Sequence, residues 1–197
     1  MSEEIPLFPL NAVLFPGGLL PLRIFEQRYM DMVTACIKNN TQFGVCLIAD
    51  GQEVGKPAVP HEIGTLAQIN EGDWDMPQLG VLSIKARGTQ RFRIQERRTE
   101  DSGLQLAKIE LIENEPPMRL PSTMARMMRL MGVILADAGD AVPEPHLLDD
   151  AVWIGNRYAE LLPISQLAKQ KLMELDDTLL RVETIYRYLE QKELLRG

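Results

Sequence analysis

The chain has 197 residues, is 45% hydrophobic and 25% charged, and carries a net charge of −7. That length suits one domain or two small ones, and the composition is that of an ordinary globular protein rather than a disordered or fibrous chain. An acidic balance of this size argues against a general binder of nucleic acid or anionic membrane.

The first predicted elements lie in the apolar run "IPLFPLNAVLFPGGLLPLRIF", residues 5–25, which four prolines interrupt: Pro6, Pro9, Pro16 and Pro21. It is no secretory signal, because Glu3 and Glu4 stand where a signal carries basic residues. It is no spanning helix either, since each proline removes a donor and clashes with the preceding turn. Short apolar runs bounded by Pro, Asn11 and Gly17-Gly18 predict buried strands at residues 5–7 and 13–15, with 19–24 extended behind them.

A helix follows. Phe25, Tyr29, Met32, Val33, Cys36 and Ile37 recur at the spacing of one helix face, and Asn39-Asn40 would end it. Next come five strand-like segments: "TQFGVCLIAD", apolar on both faces, then "GTLAQI", "GVLSIKARG", "QRFRIQE" and "LQLAKIELI". Pro116, Pro117 and Pro121 then mark a break. Beyond it the apolar period becomes helical, with a stripe of Met124, Met127, Met128, Met131, Ile134 and Leu135. A second C-terminal helix is expected to start near Asp149-Asp150 and run to about Leu162. Ser165 can cap a third, and Asp176 or Asp177 a fourth, in which Leu175, Leu179, Val182, Tyr186 and Leu189 recur. The expected division is residues 1–117 and 118–197. Neither part is basic, with 11 Lys and Arg against 16 Asp and Glu in the first and 10 against 12 in the second.

Residues with catalytic potential are sparse. His61 and His146 sit in proline-flanked loops, and Cys36 and Cys46 fall in apolar patterns as reduced core thiols. "GQEVGKP", residues 51–57, fails as a phosphate loop: its glycines are one residue too close, and Pro57 stands where a hydroxyl is needed. "NEGDWD" lacks the ligand spacing of a calcium loop. No catalytic residue, metal or cofactor is expected. Two binding surfaces are. Met124, Met127, Met128 and Met131 combine apolar surface with adaptable shape, as protein-binding surfaces do. Arg87, Arg91 and Arg93, alternating with apolar residues, form the basic stripe of an alternative RNA-binding reading.

In their order, "IPLFPLNAVLFPGGLLPLRIFEQRY", "IGTLAQI", "VLSIKARGTQRFRI", "LAKIELIENEP" and "LPISQLAKQKLMELDDTLLRVETIYRYLEQ" resemble the substrate-binding N-terminal domain of Lon proteases, a domain also found in cereblon-like proteins. The resemblance covers nearly the whole chain. It implies an α+β fold: a PUA-like β pseudo-barrel with one helix, followed by an α-helical bundle. It implies the stand-alone form of the domain, without the family's ATPase and peptidase modules. Its partners would be unfolded or damaged polypeptides or another protein, with RNA the lesser alternative and no membrane. Its place would be the cytoplasm, and its role non-catalytic binding in protein quality control.

Overall fold

The structure, a computed structural model, describes residues 3–70, 72–75 and 80–195. The fold is α+β, with seven strands in one sheet and five α-helices among the described residues. The chain forms two compact units, Met1–Glu113 and Asn114–Gly197. The boundary falls after Glu113 rather than after Pro117. The cause is local: the Glu115 carboxylate is gripped by Arg181 in the last helix, which draws the segment after residue 113 into the second unit.

The first unit contains β1 (Glu3–Leu10), β2 (Leu19–Ile24), α1 (Gln27–Asn39), β3 (Phe43–Asp50), β4 (Val59–Pro60), β5 (Ile63–Gln68), β6 (Leu82–Thr99) and β7 (Gln105–Leu111). Five strands close on themselves. β1 pairs with β7, β7 with β6, β6 with β5, β5 with β3, and β3 returns to β1 in parallel, Leu7 opposite Gly44. Closure leaves those five strands no long free edge. β1 tolerates Pro6 and Pro9 because its first half meets only β7 and its second half only β3. A proline on a strand paired along one side need not break a ladder. One core cluster gathers Phe8, Leu14, Ile24, Phe43, Val45, Leu82 and Ile84 around the α1 face of Tyr29, Met32, Val33 and Cys36. Phe8 and Tyr29 stack there with ring centroids 4.1 Å apart. A second cluster, with Ile5, Leu7, Cys46, Leu66, Phe92 and Ile109, fills the strand circuit.

Three expectations change in this unit. Residues 13–15 are not a strand, yet Val13, Leu14 and Phe15 are all buried. The segment is held by single bonds: Thr65 Oγ1 donates to the Leu14 carbonyl at 2.6 Å, and Gly17 N–H to the Gly88 carbonyl at 2.9 Å. Next, "GVLSIKARG" and "QRFRIQE" are one strand of 18 residues, not two. Gly88 looks like a turn residue but lies inside β6, where the Phe15 carbonyl leaves no room for a side chain. Finally, Phe25 precedes α1 and is 56% exposed instead of facing the core. The α1 terminus itself follows its local chemistry. Asn40 takes the left-handed conformation, φ 52°, and its N–H returns to the carbonyls of Cys36 and Ile37.

The second unit contains α2 (Ala125–Ala138), α3 (Ala151–Leu161), α4 (Gln166–Glu174) and α5 (Thr178–Gln191), with a 3-10 turn at Ser122–Met124. Three helix starts are capped as their sequences suggest. Asp150 accepts from Val152 N–H and Trp153 N–H, Ser165 from Ala168 N–H, and Asp177 from Leu180 N–H. α3 packs on α5, and Gly155 permits the approach: a Cβ there would lie 3.1 Å from Val182 Cγ2. The buried face of α5 is Thr178, Arg181, Val182, Ile185 and Leu189. Leu179 of the expected stripe is exposed, and Leu175 lies just outside the helix.

Candidate binding groove

A cleft of about 600 Å³ runs between α4 and α5. Its walls are Leu162, Ile164, Ala168, Leu172 and Leu175 on one side and Ile185 and Tyr188 on the other. Its polar groups are few. Lys171 and Glu174 form an ion pair at 2.9 Å on the rim, and Thr184 lies on the facing helix. The sequence builds it locally. Pro163 follows α3, and the Ser165 cap starts α4 almost at once, so the apolar Leu162 and Ile164 fall at the mouth of the cleft. Lys169 ties the start of α4 to the end of α3, its Nζ donating to the Glu160 carbonyl at 2.5 Å. Burial pulls the Lys169 pKa below the usual lysine range, against the opposing pull of the Glu160 charge. Elsewhere on this unit Leu167 and Leu180 are about half exposed, at 55% and 47%.

The corner between α4 and α5 is held by one side chain. Arg181, 1% exposed, donates Nε–H to the Leu172 carbonyl at 2.9 Å and an Nη2 proton to the Leu175 carbonyl. The same guanidinium grips both oxygens of Glu115, at 2.7 and 2.9 Å. Thr178 Oγ1 donates to that carboxylate as well.

The methionine stripe is placed differently from the expectation. Met124, Met127 and Met131 are buried at 9%, 0% and 0% exposure. Tyr158 Oη donates to the Met127 carbonyl at 2.7 Å from α3, which fixes that face of α2 inward. Only Met128 is half-buried, on the wall of a second cleft with Arg119, Pro121, Ser122, Ala125 and Asp149. The three arginines do not share an open face. Arg87 is paired with Asp73 at 2.7 Å, Arg91 is 5% exposed opposite the buried Thr65, and Arg93 alone is exposed. In the loop at residues 51–57, the Gly55 N–H points to the Glu26 carboxylate at 3.4 Å, an anion already in place. No group of three or more His, Cys, Asp or Glu among the described residues is arranged to hold a metal ion.

Sequence reasoning missed both apolar openings. One is the α4–α5 groove. The other is a small cleft of about 70 Å³ in the first unit, bordered by Phe8, Tyr29 and the exposed Phe25 and Val54. No single-helix pattern marked the groove; the excess apolar residues Leu167, Leu179 and Leu180 lie off the buried faces of their helices and outside its walls. A count of apolar residues larger than one helix face can bury is a mark of an interaction surface.

A closed strand circuit with a helical second unit that carries an apolar groove is a fold of the α+β class. The family model described as the ATP-dependent protease La (LON) substrate-binding domain matches residues 4–191, and the chain belongs to that family. A Lon N-terminal domain protein from Xanthomonas campestris has a similar structure, with a TM-score of 0.78, 36% identity, and coverage of 94% of this chain and 98% of that one. The N-terminal domain of Mycobacterium avium complex Lon protease shares the fold, with a TM-score of 0.68 at 13% identity over 95% of this chain and 98% of that one. In sequence, the cereblon of Gallus gallus is 32% identical over 62% of this chain and 26% of its own length. A Lon protease of Paraburkholderia phytofirmans is 30% identical over 93% of this chain and 24% of its own. The chain thus spans about a quarter of the length of the curated relatives it matches.

Proposed function

We propose that the chain binds polypeptide without chemistry of its own, receiving apolar segments of unfolded or damaged proteins in the α4–α5 groove. The observation that carries the reading is the groove itself. It has room for several side chains, its walls are apolar, and its one rim ion pair, Lys171 with Glu174, is already satisfied. The family's description as a substrate-binding domain supplies the class of ligand. We read the strand circuit as the PUA-like pseudo-barrel of the family and the helices as its bundle, and assign the protein to cytoplasmic protein quality control. Modest affinity is expected, near micromolar and about −8 kcal/mol, because ordering a disordered client costs several kcal/mol.

The test is fluorescence anisotropy with a labelled, permanently unfolded peptide, at low and high salt, on the native chain and on Ala168→Glu. The variant sets a carboxylate on the groove wall while keeping a good helix former, and the nearby Lys171 is already engaged by Glu174. Native binding should survive salt, and the variant should bind at least tenfold more weakly with an unchanged circular dichroism spectrum. No binding at near-millimolar protein removes the function. Full binding by Ala168→Glu removes the groove.

A further inference from the structure

We infer that Arg181 is the positioning residue of the groove, and that the Glu115 carboxylate holds it in place. The inference rests on the groove being the binding site. Leu172 and Leu175 furnish groove wall, and their backbone carbonyls are the two that Arg181 engages. Both lie at the end of α4, where carbonyls have no partner within the helix. A guanidinium serves them because it is planar, permanently charged and carries five N–H donors in a fixed fork. Two sides of the fork bind Glu115, and the remaining donors reach the α4–α5 corner. The guanidinium is 1% exposed, so water does not substitute for these contacts. The separation of α4 and α5 at the corner therefore follows the placement of one cation. That placement is set by a carboxylate 66 residues earlier in the chain.

A purely structural ion pair would act on stability alone. Replacing a buried pair by apolar residues of similar volume is often neutral or stabilising. The decisive variant is therefore the double substitution Arg181→Met with Glu115→Leu, which fills the space and deletes the fork. It should stay folded with a lowered melting temperature, because the Leu172 and Leu175 carbonyls lose their donor and Thr178 its acceptor. Its affinity for the unfolded peptide should fall at least tenfold, and the methyl resonances of Leu172, Leu175 and Ile185 should move in the free protein. Arg181→Lys, which keeps the charge and loses the fork, should show the same resonance shifts and a similar loss of affinity. Should both variants unfold, the native protein decides: the Arg181 Nε–H resonance should exchange slowly and shift as peptide saturates the groove. Folded variants with native groove resonances overturn the inference, as does an Nε–H resonance indifferent to peptide. If the native chain binds no peptide, the function proposed above fails by itself. The free-protein resonances then still show whether Arg181 sets the groove.

Discussion

Replacing Gly88 by alanine tests whether β6 runs unbroken through a position that reads as a turn. Gly88 does not take a positive φ. A Cβ built on it stands 2.1 Å from the Phe15 carbonyl oxygen, 3.0 Å from the Phe15 carbonyl carbon and 3.1 Å from Leu14 Cγ. Carbon approaches a carbonyl oxygen to about 3.3 Å at closest in ordinary C–H···O contacts, so residues 14–18 must retreat by roughly 1 Å. That retreat strains the two bonds joining Gly88 to Gly17 and Gly18, at 2.9 and 3.0 Å. Overpacking of this kind costs about 1–3 kcal/mol, and each bond lost adds about 1 kcal/mol. The expected destabilisation is therefore about 3–5 kcal/mol. An exposed turn glycine at positive φ would lose only about 1–2 kcal/mol on the same change, from backbone strain alone. Urea unfolding should be followed by Trp74 fluorescence in a Trp153→Phe background, which leaves one tryptophan, within the first unit. A loss of this size lowers the melting temperature of a unit this long by about 10 °C or more. A loss below about 1 kcal/mol would refute the close packing of residues 14–18 on β6.

Two further outcomes follow from buried sulfur. Cys46 is fully buried, and desolvation pushes its thiol up to about 12 from an ordinary 9.0. Above pH 9 the unfolded chain loses that proton and the folded one keeps it, so the Cys46 contribution to stability falls as pH rises from 9 to 12. That fall adds to those of Cys36, Tyr29 and Tyr158, whose pKa values burial also raises. Cys46→Ala should flatten that slope in alkaline urea titrations, and an unchanged slope would show that the thiol ionises normally. Dilute peroxide should oxidise Met118 and Met128 well before Met124, Met127 and Met131, because only the first two have exposed or half-buried side chains. Peptide mapping by mass spectrometry reads the order. Equal oxidation of Met127 and Met128 would mean that the inward face of α2 opens.

What the sequence made legible was short-range chemistry. Asn40, Asp150, Ser165 and Asp177 each act on backbone groups within four residues, so residue type alone located those helix ends. Family membership was legible too, because it rests on the order of segments along the chain. The errors came where a residue's role depends on a distant one. Gly88 reads as a turn, yet the Phe15 carbonyl packs directly against it. Arg87, Arg91 and Arg93 alternate as a surface stripe should, but β6 is paired there with β5 and Arg91 faces the buried side. Periodicity assigns a residue to a face of its strand and says nothing of what covers that face.

The proposed binding surface belongs to the same class of problem. A methionine stripe on one helix is adaptable surface, and adaptable side chains suit a partner. They suit a core equally well, and here α2 packs that stripe inward against α3, where Tyr158 holds it. The groove lies instead between two helices whose spacing no single-helix pattern encodes. Its corner contains Arg181, inside the "RVE" triplet of the last segment that resembles the family. Taken alone, an arginine on the buried face of α5 would be an unpaired charge costing several kcal/mol. Glu115 resolves that cost from the segment ahead of the helices, beside the prolines that read only as a break. A buried arginine in an otherwise apolar helix face therefore implies a carboxylate partner elsewhere in the chain, on the grounds of desolvation alone. It also implies that the backbone carbonyls within reach of the same fork are held with it.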